Sequence, residues 1–290
     1  MPLTYLGAGF QPAEHLLPVA RRAEECGFDG LALPDHVAYP ATVDAEYPGT
    51  ADGSVPWDLD TTPWVDPLVA MAAIAAGTQR LRLMTHIFVL PLRSPVLVAK
   101  TAGSLAALFP GRIELGIGVG WLPVEFEATG TDFRTRGRRT DEAIDVLRAL
   151  WGSQPATHHG EHYSFDALGM YPVPSTPPPL LIGGASAASF RRAALRGDGF
   201  TAMPATIQTY ADEVLPTLHM ALAEHARSDD GFHVNVVPPD VRGAADLRRL
   251  DDLGVTSVQL HPFDRETATN GSLEAKLDAI EIYAHEVLDH

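Results

Sequence analysis

The sequence contains little cysteine, few basic residues and no long apolar run. Cys26 is the only cysteine among 290 residues, so no intramolecular disulfide can form and a reducing compartment is expected. Lys and Arg number 21 against 37 Asp and Glu, a formal net charge of −16. Surfaces for nucleic acids or anionic membranes need clustered cations, so neither is an expected partner. No run could cross a bilayer and the first residues show no signal-peptide pattern, so a cytoplasmic location is expected.

Short apolar runs rich in β-formers alternate with longer amphipathic runs along the whole chain. Asp66 followed by Pro67 gives one of the helix-start signals in this alternation. Eight strand-then-helix units in a chain of this length predict an α/β fold, a closed (β/α)8 TIM barrel in which residues 1–290 form one domain. Insertions are predicted after the second strand, over Val37–Trp64, and after the fourth, where Gly120–Arg134 is expected to be a loop.

In such a barrel the active site lies at the carboxyl ends of the strands and in the loops that follow them. Asp35 and His36 come directly after the second predicted strand. Histidine has the unperturbed pKa nearest neutrality, which suits His36 to proton transfer, and Asp35 could orient it or bind a polar edge of a ligand. The alternative is an exposed loop histidine, one of 12 in the chain.

Two further strand ends carry candidate binding residues. Thr85, His86 and Ile87 end the third predicted strand, where the alternative is ordinary barrel core. The segment Gly183–Ser186 lies between the fifth strand and its helix. Exposed N–H groups at a helix start attract phosphate, so this segment is either a phosphate-binding loop or an ordinary turn.

The fourth strand ends in the glycine-rich segment Gly116–Trp121. Trp121 replaces the last glycine of the dinucleotide-binding fingerprint, and Pro123 is not expected to open a helix, so the dinucleotide interpretation fails. Gly118 and Gly120 would instead let a ligand approach the backbone closely.

Two other features invite a functional interpretation. The histidine cluster His158–His162 matches no zinc signature and lies in the irregular stretch Gly152–Pro178, so a surface turn or hairpin is predicted and no metal site. Glu125 is either polar lining of a site or, as is commoner, a solvated loop acid. The sequence has no Gly-x-Ser-x-Gly motif, which argues against a hydrolase of that class.

A set of ordered segments spans about residues 1–205. They are Ala23–Gly30 running into Pro34–His36, Leu90–Lys100, Pro110–Trp121, Phe126–Gly130, and Pro179–Gly184 followed by Ala194–Phe200. In this order they make the chain similar to the luciferase-like family of flavin- or deazaflavin-dependent oxidoreductases, and especially to its branch that uses coenzyme F420.

The resemblance implies a flavin or deazaflavin ring in the mouth of the barrel. His36 would be the catalytic residue that handles the substrate proton, and Asp35 would contact the ring edge. A non-prolyl cis peptide is expected within Thr85–Ile87, bulging toward the ring. The full set of implied cofactor-binding residues is Asp35, Thr85, His86, Ile87, Gly118, Gly120, Gly183, Gly184 and Ser186.

One departure from the family concerns tryptophan. Similar F420 dehydrogenases often carry one shortly after the histidine, whereas here Trp57 and Trp64 come late in the long loop. These two residues and Tyr47 either line a substrate pocket or pack the loop onto the barrel rim.

The resemblance is compatible with three functions. The leading one is an oxidoreductase that transfers a hydride between F420 and a small organic substrate. The second is an FMN-dependent monooxygenase that uses reduced flavin and O2, with a separate flavin reductase as partner. The third is a non-catalytic flavin-binding barrel. A homodimer is expected as the commonest soluble assembly.

Overall fold

The computed structural model of the protein describes residues 1–40, 42–43, 45–50, 52–55, 57 and 62–288. Its strands, in chain order, are β1 (Leu3–Gly7), β2 (Gly30–Leu33), β3 (Arg82–Val89), β4 (Ile113–Gly118), β5 (Ala156–His159), β6 (Ser164–Leu168), β7 (Leu180–Gly183), β8 (Gly199–Thr201), β9 (His233–Val236) and β10 (Ser257–Leu260). Eight of them close into a parallel barrel in the order β1-β10-β9-β8-β7-β4-β3-β2, which confirms the predicted (β/α)8 fold. The other two, β5 and β6, form an antiparallel hairpin, as predicted for the histidine cluster.

The helices cover the outside of the barrel. In chain order they are α1 (Ala13–Glu25), α2 (Pro67–Gly77), α3 (Pro95–Leu108), α4 (Pro123–Ala128), α5 (Arg136–Trp151), α6 (Ala187–Arg196), α7 (Ile207–Thr209), α8 (Leu215–Glu224), α9 (Ala244–Asp252), α10 (Arg265–Asn270) and α11 (Leu273–Val287). The predicted cap of α2 is confirmed, since the Asp66 side chain accepts N–H groups from Leu68 and Val69. None of the helices in the described stretches is long and apolar enough to cross a membrane.

The two insertions differ in structure. The described part of Val37–Trp64 contains no helix or strand, and Ala41, Asp44, Ala51, Pro56 and positions 58–61 lie outside the described residues. The loop predicted over Gly120–Arg134 contains α4, so the expectation that Pro123 does not open a helix was wrong. Proline suits the first helical position because its missing N–H would be unpaired there anyway.

The inside of the barrel is packed at its centre and tied by polar bonds at its amino end. Tyr5, Ala32, Met84 and Leu181 form a buried apolar layer across it. Below this layer, the hydroxyl of Tyr5 donates to Glu114 at 2.9 Å and Nε of Arg82 donates to the same carboxylate at 2.7 Å. A cavity of about 690 Å³ also lies at this amino end of the barrel. In this fold the amino end contributes to stability, whereas the active site lies at the carboxyl ends of the strands.

Candidate functional site

His36 lies just beyond the carboxyl end of β2 and is only 9% exposed. Its Nδ1 is 3.0 Å from Oε2 of Glu125, which α4 carries. Glu125 is 1% exposed, and its Oε1 accepts the backbone N–H groups of Val37 at 2.7 Å and Ala38 at 3.3 Å. The alternatives of an exposed loop histidine and a solvated loop acid were therefore wrong for these two residues.

The hydrogen bonds of His36 fix its tautomer. An ionised carboxylate only accepts hydrogen bonds, so Nδ1 of His36 carries the hydrogen that it shares with Glu125. In the neutral ring Nε2 is then an acceptor, and the hydroxyl of Tyr39 lies 3.3 Å from it. Burial raises the pKa of Tyr39 well above its ordinary value, which keeps the phenol protonated. Nε2 is thus the position at which a proton can be exchanged.

Six aromatic side chains around His36 form what we call the aromatic cage. They are Phe10, Tyr39, Tyr47, Trp57, Trp64 and Trp121. The ring centroids of Tyr39 and Trp64 both lie 4.6 Å from that of His36, and those of Trp57 and Trp121 lie at 5.7 and 6.0 Å. The fold therefore brings Trp57 and Trp64 to the histidine in spite of their distance from it in sequence.

Asp35 has both carboxylate oxygens engaged. Arg93 donates Nη1 to one oxygen at 2.7 Å and Nη2 to the other at 2.8 Å, and the backbone N–H of Val89 also donates at 2.9 Å. The same guanidinium donates Nη2 to Asp66 at 3.1 Å. Arg93 therefore joins the residues at the two ends of the long loop, and Asp35 anchors this junction.

The third strand bulges at its carboxyl end, where the resemblance implied a cis peptide. The bond between His86 and Ile87 is cis, and the pairing of β3 with β4 shifts register between Thr85 and Phe88. A Cβ on Gly118 would overlap the side chain of Ile87, so glycine is needed there for the bulge to fit.

The other predicted glycines have separate structural roles. Gly120 has a φ of +80°, and a Cβ there would press on Val89 and Phe126. Gly183 ends β7, and a Cβ there would lie 3.1 Å from Ile87, so this glycine also faces the bulge.

The loop before α6 is built by a reciprocal cap. The N–H of Ser186 donates to Oγ of Ser189 at 2.9 Å, and the N–H of Ser189 donates to Oγ of Ser186 at 3.2 Å. Gly184 has a φ of +125°, a conformation that L side chains rarely adopt. The loop therefore presents exposed backbone at the start of a ten-residue helix, which suits the phosphate-binding role that remains a prediction.

His86 is held as a neutral side chain. Its Nε2 lies 3.4 Å from the carbonyl oxygen of Ala202, which can only accept, so Nε2 carries the hydrogen. Burial lowers the pKa of His86 to about 4. Burial therefore makes His86 a poor acid–base residue near neutral pH.

The low pKa of His86 predicts acid sensitivity. The unfolded chain takes up a proton near pH 6.5 and the folded chain only near pH 4, so this residue weakens folding as the pH falls between those values. Replacing His86 with glutamine, which keeps an N–H donor, should make the unfolding free energy less sensitive to acid by roughly 2–3 kcal/mol between pH 7 and pH 4.

Urea unfolding at both pH values measures this difference. His219→Gln, on the exposed face of α8, is the matched control and should follow the original protein. Parallel pH profiles for His86→Gln and the original protein would contradict the prediction.

Buried polar atoms without partners lie around the barrel mouth. Within the described residues, Oε1 of Gln11, Oε1 of Gln259 and Nε1 of Trp64 are buried and make no hydrogen bond. Such atoms are rare in folded proteins and indicate a missing partner. Phe10, next to Gln11, has a φ of +63°, which is unusual for a bulky side chain and typical of functional sites. The N–H groups of a flavin or deazaflavin ring fit the two glutamine oxygens of this set.

The histidine cluster lies in the β5–β6 hairpin and contacts Glu142. The carboxylate of Glu142 accepts the backbone N–H groups of His162 and Tyr163 and lies 3.3 Å from Nε2 of His158. This carboxylate ties the hairpin to α5. Nowhere in the described part of the chain do three or more His, Cys, Asp or Glu side chains form a group that could hold a metal ion.

The structure places a buried histidine held by a carboxylate and a cis-peptide bulge together at the mouth of the barrel, and of these the bulge was implied by the family resemblance. The family model described as luciferase-like monooxygenase matches residues 3–239. The chain belongs to the luciferase-like monooxygenase family.

Two proteins similar in sequence and two solved structures similar in fold illustrate the matches to this chain. An uncharacterized protein of Mycobacterium tuberculosis is 36% identical over 94% of both chains. An F420-dependent glucose-6-phosphate dehydrogenase of Nakamurella multipartita is 31% identical over 76% of this chain and 61% of its own. An F420-dependent secondary alcohol dehydrogenase, solved with an F420–acetone adduct, matches with a TM-score of 0.76, 20% identity and coverage of 100% and 99%. The monooxygenase RslO1 of Streptomyces bottropensis matches with a TM-score of 0.75, 18% identity and 99% coverage of both chains.

Proposed function

We propose that the protein is an oxidoreductase that transfers a hydride between coenzyme F420 and a small organic substrate, with His36 as its acid–base residue. One observation carries this proposal: a histidine buried at the barrel mouth has Nδ1 held by the carboxylate of Glu125 and Nε2 at 3.3 Å from the Tyr39 hydroxyl. An oriented imidazole of this kind suits proton transfer near neutral pH. The F420-dependent relatives support the choice of cofactor.

Bound F420 would supply the hydride chemistry, and the protein would bind, orient and shield the reacting groups. The bulge at Ile87 would support the ring, and the loop from Gly183 to Ser186 would hold the phosphate-bearing tail. Gln11 and Gln259 offer unpaired side-chain oxygens that could accept hydrogen bonds from N–H groups of the ring.

The proton step follows from the tautomer of His36. When a carbonyl carbon of the substrate gains hydride, the carbonyl oxygen needs a proton, and protonated Nε2 of His36 donates it. Glu125, bonded to Nδ1, stabilises the imidazolium before this donation. In the reverse direction Nε2 takes the proton from the substrate hydroxyl. The aromatic cage excludes water from this step and keeps the imidazole in place.

The rival proposal is an FMN-dependent monooxygenase, which the family description and the fold shared with RslO1 support. Titration of the purified protein with F420 and with FMN, followed by absorbance and fluorescence, separates the two. Saturable binding of F420 followed by substrate turnover supports our proposal, and binding of FMN alone supports the rival. Binding without turnover by either donor indicates a non-catalytic barrel, and failure of both cofactors to bind refutes all three functions.

Replacing Glu125 with glutamine tests whether this residue positions His36. The amide oxygen can still accept from Val37 and Ala38, but the amide nitrogen cannot accept from Nδ1, so the imidazole loses its fixed tautomer. We expect kcat to fall by about 10- to 100-fold, less than the loss of the whole acid–base group, with KM changed little.

Steady-state kinetics with F420 measure this split between kcat and KM. Glu127→Gln is the matched control, since Glu127 is exposed on the same helix α4. A loss confined to KM, or equal losses in both variants, would show that Glu125 does not act through His36.

A further inference from the structure

We infer that the substrate bound beside His36 is an uncharged cyclic or aromatic ketone, or the corresponding secondary alcohol, and that anionic compounds such as sugar phosphates are excluded. The inference rests on the proposed function. It also separates this chain from its relative that is named as a glucose-6-phosphate dehydrogenase.

The long loop next to His36 has a negative net charge. Residues 34–66 contain seven Asp or Glu residues and no Lys or Arg. Arg93 pairs with both Asp35 and Asp66 and offsets one of their two negative charges, and five further acidic residues lie between them in the sequence. An anionic substrate beside His36 would meet the carboxylate of Glu125, which lies 3.0 Å from Nδ1 of that histidine, and like-charge juxtaposition in a binding site is strongly unfavourable.

Two arginines bonded to residues that adjoin the site, Arg93 and Arg136, are already engaged. Both terminal nitrogens of Arg93 are bonded to Asp35 and Asp66. Arg136 donates Nε to the carbonyl of Gly120 at 3.2 Å and lies 3.9 Å above the ring of Phe133. Neither guanidinium is available for the bidentate contact by which arginine recognises phosphate or carboxylate.

The groups that are available suit a neutral oxygen on an apolar ring. The aromatic cage offers flat surfaces that pack against a ring in offset or edge-to-face geometry. Nε1 of Trp64 is a buried N–H donor without a partner in the described residues, and the centroid of its ring lies 4.6 Å from that of His36. A carbonyl or hydroxyl oxygen would complete both this donor and Nε2 of His36.

The reaction balances with F420 as the electron carrier. In the reducing direction, the carbonyl carbon gains a hydride, with its two electrons, from the reduced deazaflavin. The carbonyl oxygen gains the proton on Nε2 of His36, the carbon–oxygen double bond becomes single, and the deazaflavin is oxidised.

A matched pair of probes tests the inference: 4-methylcyclohexanone is neutral, and 4-oxocyclohexane-1-carboxylate has similar size and one negative charge. Three of the four tryptophans belong to the aromatic cage, so binding can be followed by tryptophan fluorescence without cofactor. We expect the neutral probe to bind at least about 100-fold more tightly, and its kcat/KM with reduced F420 to be higher by a similar factor. Glucose-6-phosphate with oxidised F420 should give no turnover.

Two lysine variants test the cause of the preference. Val37→Lys adds a cation next to His36 at a side chain that is 43% exposed, and should reduce the preference for the neutral probe by at least about 10-fold. Met220→Lys adds the same charge on α8, at a side chain 65% exposed, and should leave the preference unchanged.

The outcomes separate this inference from the proposed function. Equal binding of the two probes, or binding of neither, overturns the inference even if F420 binds. Turnover of the carboxylate or of glucose-6-phosphate with F420 would also overturn it while supporting the proposed function. Failure of F420 to bind would refute the proposed function, while the fluorescence preference would still report the chemistry of the pocket.

Discussion

Replacing His36 with alanine is expected to lower turnover with F420 by roughly 10²- to 10⁴-fold, the range that general acid–base catalysis contributes. The variant has no group at the position of Nε2 to give or take the substrate proton. The binding of F420 should change little, because the bulge at Ile87 and the loop before α6 keep their structure. Turnover and cofactor titration, measured on the same preparation, check both parts.

His36→Asn controls for a folding effect in this experiment. The asparagine amide can still donate a hydrogen bond to Glu125, but it cannot act as a base. His159→Ala is the control for histidine removal, because that side chain is 61% exposed on the hairpin. Near-normal turnover in both His36 variants would remove the residue from the mechanism. So would an equal loss in the control.

Replacing Arg93 with alanine is expected to lower the free energy of unfolding by about 3–5 kcal/mol, as is usual when one partner of a buried ion pair is removed. The reason lies in Asp35, which would keep only the N–H of Val89 as a bonded donor. The two ends of the long loop would also lose their shared contact. Urea unfolding followed by circular dichroism measures the loss.

Arg134→Ala provides the matched control for this prediction. Arg134 pairs with Asp132 at the surface and is 89% exposed, so its loss should cost no more than about 1 kcal/mol. If Arg93→Ala cost as little, the contact between the loop ends would be only a surface ion pair.

The barrel and the position of His36 at a strand end could be predicted from the sequence because both depend on local patterns. The alternation of apolar runs defines the strands, and residues that follow a strand in this fold lie at the active end. The cis peptide within Thr85–Ile87 was implied by the resemblance, and it lies at His86–Ile87.

The partners of His36 could not be predicted in the same way. Glu125 lies 89 positions away on a helix where a loop is expected from the sequence, and a single carboxylate in a predicted loop resembles many solvated acids. Tyr39 could have been predicted as a partner of His36, because it lies only three residues beyond the histidine, near the position where the family often has tryptophan. Arg93 lies in the segment Leu90–Lys100 that carries the family resemblance, but its contact with Asp35 depends on how β2 and β3 pair.

Gly118 shows that a glycine expected for one reason can be required for another. The sequence suggested that glycine there lets a ligand approach the backbone. In the structure the space is taken by the side chain of Ile87. No local pattern distinguishes room for a ligand from room for a neighbouring strand, because both require only that a Cβ be absent.

The junction at Arg93 has an evolutionary consequence. Asp35 and Asp66 hold the two ends of the long loop to one guanidinium, so the chain between them leaves the barrel and returns to the same point. Lengthening a surface segment closed in this way changes its closure entropy only slowly with its number of residues. The segment is therefore an exchangeable module: new versions could alter which molecules reach His36 while the barrel, the bulge and the histidine–glutamate pair stay as they are.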